Sequence, residues 1–421
     1  MLKIKHVDLK RMFPDISGTG YLTHGFDAYP AKMIPHMARF LIERVSQPGQ
    51  TILDPFCGSG AVLIESVITG RNAIGVDFNP VAVTLAKGKT TTCDTEILRC
   101  QLSEILDRLI KCKNGVSYDF PNIEYWFTPA TLRKLGIIRT TLDDYLPRIN
   151  ETYANFWNAL ALSIVRPSSR ADTRGPKPFI SKSARAKRGG KHFDPFKLFE
   201  TEALIWFRKQ ETYIKQLKDQ ESHARVSLIQ GDSRHLSRVL KRRVVDAIVT
   251  SPPYLNAQDY YRSSKLQRFI FGTSNHDDLL KWSRAVIGTD RMVQDEALLD
   301  AKLPSQLATR IRSKLMEDRS GQRRNTACVL ARYVFDMAEV LQEIRAVLRN
   351  GSPCAIVLGY NLVSHIVVPT PELIIELAST HGLDLKFHYS DKIRDRWVPT
   401  IRNGHKGVIN EEHLLIFNKV S

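Results

Sequence analysis

Thr51-Ile-Leu-Asp-Pro-Phe-Cys-Gly-Ser-Gly60 runs straight into Ala61-Val-Leu-Ile-Glu-Ser-Val-Ile68, and this join decides the fold. Four residues of β character reach an acid, a glycine-containing turn follows, and the next apolar run is helical over 61–69. A second strand, Asn72-Ala-Ile-Gly-Val-Asp77, again ends on an acid. A strand, tight turn, helix and strand in that order make a parallel βαβ unit. Further β-rich runs stand at 226–230, 244–250, 354–359, 383–389 and 413–417, giving seven strands. An amphipathic helix over 331–348 stops at Asn350-Gly351, a good helix terminus.

The gap between the second and third strands is too long for a crossover. The expected organisation is a core segment over 1–92, an inserted and mostly helical basic module over 93–224, and the rest of the core over 225–421. Within the module the spacing predicts helices at 95–111, 129–142 and 150–165. A second helical insertion, about 258–326, follows the strand ending at 250. The chain has 421 residues, 43% of them apolar, a net charge of +17 and a pI near 9.6. Such a chain buries a sizeable core, and its charge suggests a polyanionic partner. Nine cations (Arg166, Arg170, Arg174, Lys177, Lys182, Arg185, Lys187, Arg188, Lys191) stand against Asp172 alone in one 26-residue stretch rich in Gly, Ser and Pro. It is expected to contact nucleic-acid phosphates; a solvated basic linker is the alternative. Six cysteines form no C-x-x-C pair and no zinc spacing, so neither a metal site nor a disulfide framework is expected. No signal-peptide or membrane-spanning run is visible, and the expected location is the cytoplasm, at the nucleoid through DNA.

Gly58 and Gly60 let the backbone turn sharply and approach a ligand, with amides of the following helix start facing it. The segment is neither G-x-G-x-x-G, since residue 63 is Leu, nor a phosphate-gripping loop with Gly-Lys-Ser/Thr. Asp77 at the end of the second strand is placed to accept both ribose hydroxyls of an adenosine group. Capping the helix from Pro80 is its other use. Asp232, in Gly231-Asp-Ser233 after the third strand, repeats the arrangement, toward an adenine amino group or as a helix cap.

Ala247-Ile-Val-Thr-Ser-Pro-Pro-Tyr254 places Ser251, Pro252, Pro253 and Tyr254 at the carboxyl end of a buried strand. Two consecutive prolines remove two amide donors and leave carbonyls that only accept. An exocyclic amine of a base offers donors. The Pro252 carbonyl and the Ser251 side chain can take them and draw the lone pair out of conjugation, while Tyr254 offers a face for a flipped base. Methylation at carbon 5 would need a cysteine nucleophile. Pro353-Cys354 runs directly into Ala-Ile-Val-Leu, so Cys354 reads as a core residue. Tyr125-Trp126-Phe127 reads as module packing or as a nucleic-acid contact.

With these motifs the chain resembles the S-adenosylmethionine-dependent DNA amino-methyltransferases of the Ser-Pro-Pro-Tyr, N4-cytosine subgroup, over 23–89 and 226–419. His24-Gly-Phe-Asp-Ala-Tyr-Pro-Ala-Lys-Met-Ile-Pro35 is similar to the segment such enzymes place at the methionine end of the cofactor. The resemblance implies a Rossmann-like seven-stranded methyltransferase sheet with helices on both faces. It implies cofactor contacts at Tyr29, Pro30, Lys32, Asp54, Pro55, Phe56, Gly58, Gly60, Asp77, Phe78 and Asp232. Double-stranded DNA is the implied substrate, and family members commonly partner a restriction endonuclease or act alone. Arg394-Asp-Arg-Trp-Val-Pro399 and Ile409-Asn-Glu-Glu-His413 also look familial, toward the base pocket. Competing expectations are adenine-N6 methylation of DNA, guanine-N2 methylation of RNA, and an inactive nucleic-acid-binding module.

Overall fold

A computed structural model describes residues 3–27, 29, 32–172, 178–181, 194–255, 260–272, 276–289, 295–317, 321–393 and 410–420. The core is one mixed eight-stranded sheet. In chain order its strands are β1 (Lys5–Val7), β2 (Thr51–Asp54), β3 (Asn72–Asp77), β4 (Val226–Gln230), β5 (Ala247–Thr250), β6 (Pro353–Leu358), β9 (Leu383–Lys392) and β10 (Glu411–Lys419). Two short strands, β7 (Asn361–Val363) and β8 (Ile366–Val368), pair as a separate antiparallel hairpin. Across the sheet the order is β1-β9-β10-β6-β5-β2-β3-β4, with β10 antiparallel to both neighbours. All seven expected strands are present. The eighth, β1, adds in parallel to β9 at the edge; three residues with the pattern Lys-His-Val give too short a period to stand out in sequence.

Strand residues alternate between two cores. Ile52, Ala247, Val249, Ala355, Val357, Leu414 and Ile416 pack under the helix Pro35–Val45. Leu53, Ile248, Cys354, Ile356, Leu415 and Phe417 face the other way, against the helices Gly321–Val347 and Thr370–Thr380. Such a period of two with both faces covered is what a parallel sheet requires. Cys354 is fully buried in β6, and burial pushes its thiol well above the ordinary range, as its core reading requires. The helix expected to begin at 331 begins at Gly321, so the end of the second insertion belongs to core packing.

The first insertion is helical: Thr95–Lys111, Pro129–Tyr145, Glu151–Ser168 and Pro195–Asp219 enclose an aromatic core around Phe156, Trp157, Phe199, Trp206 and Phe207. That core is continuous with Phe26 and with Val81 and Leu85 of the helix Pro80–Thr90. Trp126 and Phe127 belong to it, and Tyr125 is exposed. Among the described residues no helix is long and apolar enough to cross a membrane.

Candidate active site

From β2 the chain steps outward through β3 to β4, then returns to β5 on the other side of β2. The carboxyl ends of β2 and β5 therefore flank the point where strand order reverses, the usual ligand crevice of an open α/β sheet. A cleft opens there. Asp54, at the end of β2, is 3% exposed and accepts from the Thr250 hydroxyl (2.7 Å) and the Phe56 amide (3.0 Å). Burial pushes its carboxyl up to about 7.

Gly58 and Gly60 both adopt positive φ, 50° and 89°. A Cβ at Gly60 would come within 3.1 Å of the Ala86 Cβ, and one at Gly58 would lie 3.5 Å from the Tyr29 ring. The approach at Gly60 is tight and that at Gly58 an ordinary contact, and at both the positive φ disfavours a side chain. The Gly58 amide donates to Asp77 Oδ2 and the Asn79 amide to Asp77 Oδ1, each at 2.8 Å. Both carboxylate oxygens are thereby fixed, each keeping a lone pair for a ligand. Burial raises Asp77 to about 6. Asn79, not Asp77, caps the helix Pro80–Thr90.

Tyr29, Lys32, Asp54, Phe56, Gly58, Asp77, Phe78 and Asp232 all line the cleft, together with Ser251 and Pro253. Pro30 lies outside the described residues. Pro55 and Gly60 support the loop instead: the Pro55 carbonyl accepts from the Ser233 hydroxyl, and Gly60 faces Ala86. Asp232 is a cap, accepting from the Arg234 amide, and its carboxylate is gripped by the Arg234 guanidinium at 2.6 Å. Burial would raise its pKa, and the Arg234 bonds more than reverse this. Pro252 is buried outside the lining. Tyr254 packs on the core, with its hydroxyl 3.4 Å from Glu412 at the start of β10. Burial raises Glu412 to about 7. Tyr333 donates to the Pro253 carbonyl (3.2 Å), which leaves the Pro252 carbonyl as the one of the pair not engaged by that hydroxyl. Residues 394–409, including Arg394 to Pro399, lie outside the described residues.

Sequence reading missed several lining groups. Trp282, from the second insertion, stacks on Phe78 (5.9 Å, 8°) and adds a further flat ring to the cleft. Arg234 also binds Asp336 (2.9 Å) and the Ala285 carbonyl (3.0 Å), tying three segments together. The Arg-Asp spacing of 234 and 232 is visible in sequence; the fold alone supplies Trp282, Ala285 and Asp336.

The basic stretch divides. Arg166 is 7% exposed and donates to the Asp172 carbonyl (2.7 Å), because the helix runs on to Ser168 and turns it inward. It is a packing cation here, contrary to the expected phosphate contact. Arg170 is exposed and bonds the Glu124 carbonyl. Arg174, Lys177, Lys182, Arg185, Lys187, Arg188 and Lys191 lie outside the described residues.

A family model described as DNA methylase, the N6/N4 methyltransferases, matches residues 3–88, the segment that builds the glycine loop and Asp77. The type II methyltransferase M.MvaI of Kocuria varians is 24% identical over 408 residues, spanning 91% of this chain and 87% of that one. These matches support a DNA amino-methyltransferase of the N6/N4 family. M.MjaII of Methanocaldococcus jannaschii, also a type II methyltransferase, is 22% identical over 338 residues, 61% of this chain and 63% of that one. A tRNA (guanine(10)-N2)-dimethyltransferase of Methanothermobacter thermautotrophicus matches at 40% over 52 residues only, 12% of this chain and 16% of that one.

S-adenosylmethionine is the cofactor that these similarities support. The cleft has groups that fit it: an amide-fixed carboxylate for a diol, flat rings for a purine, and glycines that admit the backbone close to a ligand.

Proposed function

We propose that this DNA methylase transfers a methyl group to the exocyclic N4 of a flipped cytosine in double-stranded DNA. The observation that carries the reading is Ser251-Pro252-Pro253, placed at the switch point beside the Asp54–Thr250 pair and at the edge of the cleft. S-adenosylmethionine supplies an electrophilic methyl on a sulfonium. The protein's own contribution is orientation and polar stabilisation. The Ser251 hydroxyl and the Pro252 carbonyl accept the two amine protons, which turns the nitrogen lone pair toward the methyl. As the nitrogen–carbon bond forms, the sulfur–methyl bond breaks and its electron pair leaves with the sulfur as a neutral thioether; the nitrogen carries positive charge and gives up one of those protons to solvent. Acceptors already aimed at that nitrogen stabilise the charge without reorganising. No covalent enzyme intermediate is required.

Asp77 is assigned to the ribose hydroxyls, the Phe78–Trp282 stack to the adenine, and the Tyr29–Lys32 segment to the methionine end. Asp232, held by Arg234, shapes the adenine side of the cleft. The type II names of M.MvaI and M.MjaII support a modification role beside a restriction endonuclease.

The cations from Arg170 to Lys191 are assigned to the DNA backbone. Neutralising four of them should weaken binding on every sequence and reduce the salt slope by roughly 0.9 log unit per lost phosphate contact. An unchanged slope in a filter-binding titration would remove that assignment.

Mass spectrometry of nucleosides from DNA of cells expressing wild type or Ser251→Ala tests the whole reading. N4-methylcytosine with wild type alone supports it. N6-methyladenine keeps the mechanism and changes the base. No modified DNA base overturns it and directs the search to RNA.

A further inference from the structure

Lys89, on the helix Pro80–Thr90, is fully buried. Its ammonium donates to Asp27 Oδ2 (2.8 Å) and to the Ser59 hydroxyl (3.1 Å). Asp27 is 4% exposed, and its other oxygen accepts from the Tyr29 amide (2.6 Å). Lys32 closes the same turn, donating to the Asp27 carbonyl (2.8 Å) and the His24 carbonyl (3.1 Å). Tyr29 and Ser59, at the two ends of this chain of bonds, both line the cleft.

A buried ion pair is a poor way to gain stability. Desolvating both charges costs as much as their attraction returns, and an apolar pair of the same volume often serves as well. What an apolar pair cannot do is hold two separate backbones at a fixed distance by directed bonds. Here the directed bonds run from the turn before Tyr29, through Asp27 and Lys89, to the glycine loop at Ser59. Burial pulls the Lys89 pKa down and Asp27 partly pulls it back, leaving it at about 8, so the amine keeps its charge near neutrality.

We propose that Lys89 and Asp27 are positioning residues that lock the Tyr29 turn against the glycine loop and so set the width of the methionine end of the cofactor site. This rests on the cofactor assignment made above. The pair touches no reacting atom. Its loss should therefore act on cofactor affinity and spare the chemical step.

The test is calorimetric titration of S-adenosylmethionine into wild type, Lys89→Met and Ser59→Ala, with kcat at saturating cofactor and Tm measured on the same preparations. Lys89→Met should raise Kd by about tenfold or more and Ser59→Ala by about threefold, with kcat within about threefold of wild type. A Lys89→Met protein with lowered Tm and unchanged Kd would show a merely structural pair and overturn the inference. If Lys89→Met does not fold, Ser59→Ala decides: wild-type Kd in that variant overturns it equally. A wild type that binds no S-adenosylmethionine would overturn the cofactor assignment itself, a different failure.

Discussion

The two sides of the cleft are built by different means. On the cofactor side, the two strand-end carboxylates take backbone amides close in sequence, Phe56 to Asp54, Asn79 to Asp77, and Gly58 to Asp77 across 19 residues, with the Thr250 hydroxyl as the one distant addition to Asp54. On the base side polar groups are held by side chains from far away. Tyr333 reaches the Pro253 carbonyl across 80 residues, Asn361 the Leu255 carbonyl across 106, and Tyr254 meets Glu412 across 158. A site held by its own loop forms wherever the loop forms. One held by remote side chains depends on the packing of the helix Gly321–Val347 and of β10, and can be retuned from a distance.

The sharpest way to break this contrast is Ser251→Ala. It should lower kcat by about a hundredfold or more, as removal of one preorganised polar group does, and leave the Kd for S-adenosylmethionine within about twofold, read by calorimetry. Equal loss of cofactor binding would mean the two sides are not separable. Asp77→Ala should do the reverse, raising Kd by about ten- to a hundredfold through lost charged hydrogen bonds, with kcat at saturating cofactor much less affected.

Acid provides a finer probe of the same carboxylate. Because burial raises Asp77 to about 6, it protonates as pH falls through that value and can no longer accept from two hydroxyls. Cofactor affinity of the wild type should fall below pH 6, by about tenfold one unit lower, whereas Asp77→Asn should give a flat profile. Stability moves the other way. A raised carboxyl pKa contributes stability that is present below the ordinary carboxyl range and is lost as pH rises through about 6. The Tm of Asp77→Asn relative to wild type should therefore increase between pH 4 and pH 7.

The smallest effect tests the remote scaffold. Tyr333→Phe removes one hydroxyl from the Pro253 carbonyl and should lower kcat about threefold to tenfold, near the net worth of a single hydrogen bond, with no change in Kd for the cofactor. A cofactor defect in that variant would place the helix Gly321–Val347 on the wrong side of the comparison.

Sequence by itself determined the seven strands, the glycine loop, Asp77 and the Ser-Pro-Pro-Tyr turn, because each is written in a period of two, a glycine at positive φ, or a proline pair within about ten residues. It also marked Asp232 while leaving its use open; in the fold Asp232 accepts from the Arg234 amide as a cap and lines the cleft as well. Only the tertiary structure decided that Arg166 turns inward, that Trp282 joins Phe78, that Glu412 faces Tyr254, and that Lys89 meets Asp27 and Ser59. Those contacts join residues between 30 and 204 positions apart, apart from Arg166 itself. Nothing in a local pattern encodes them: each exists because two elements with independent sequence periods pack side by side, and the packing sets which side chains meet.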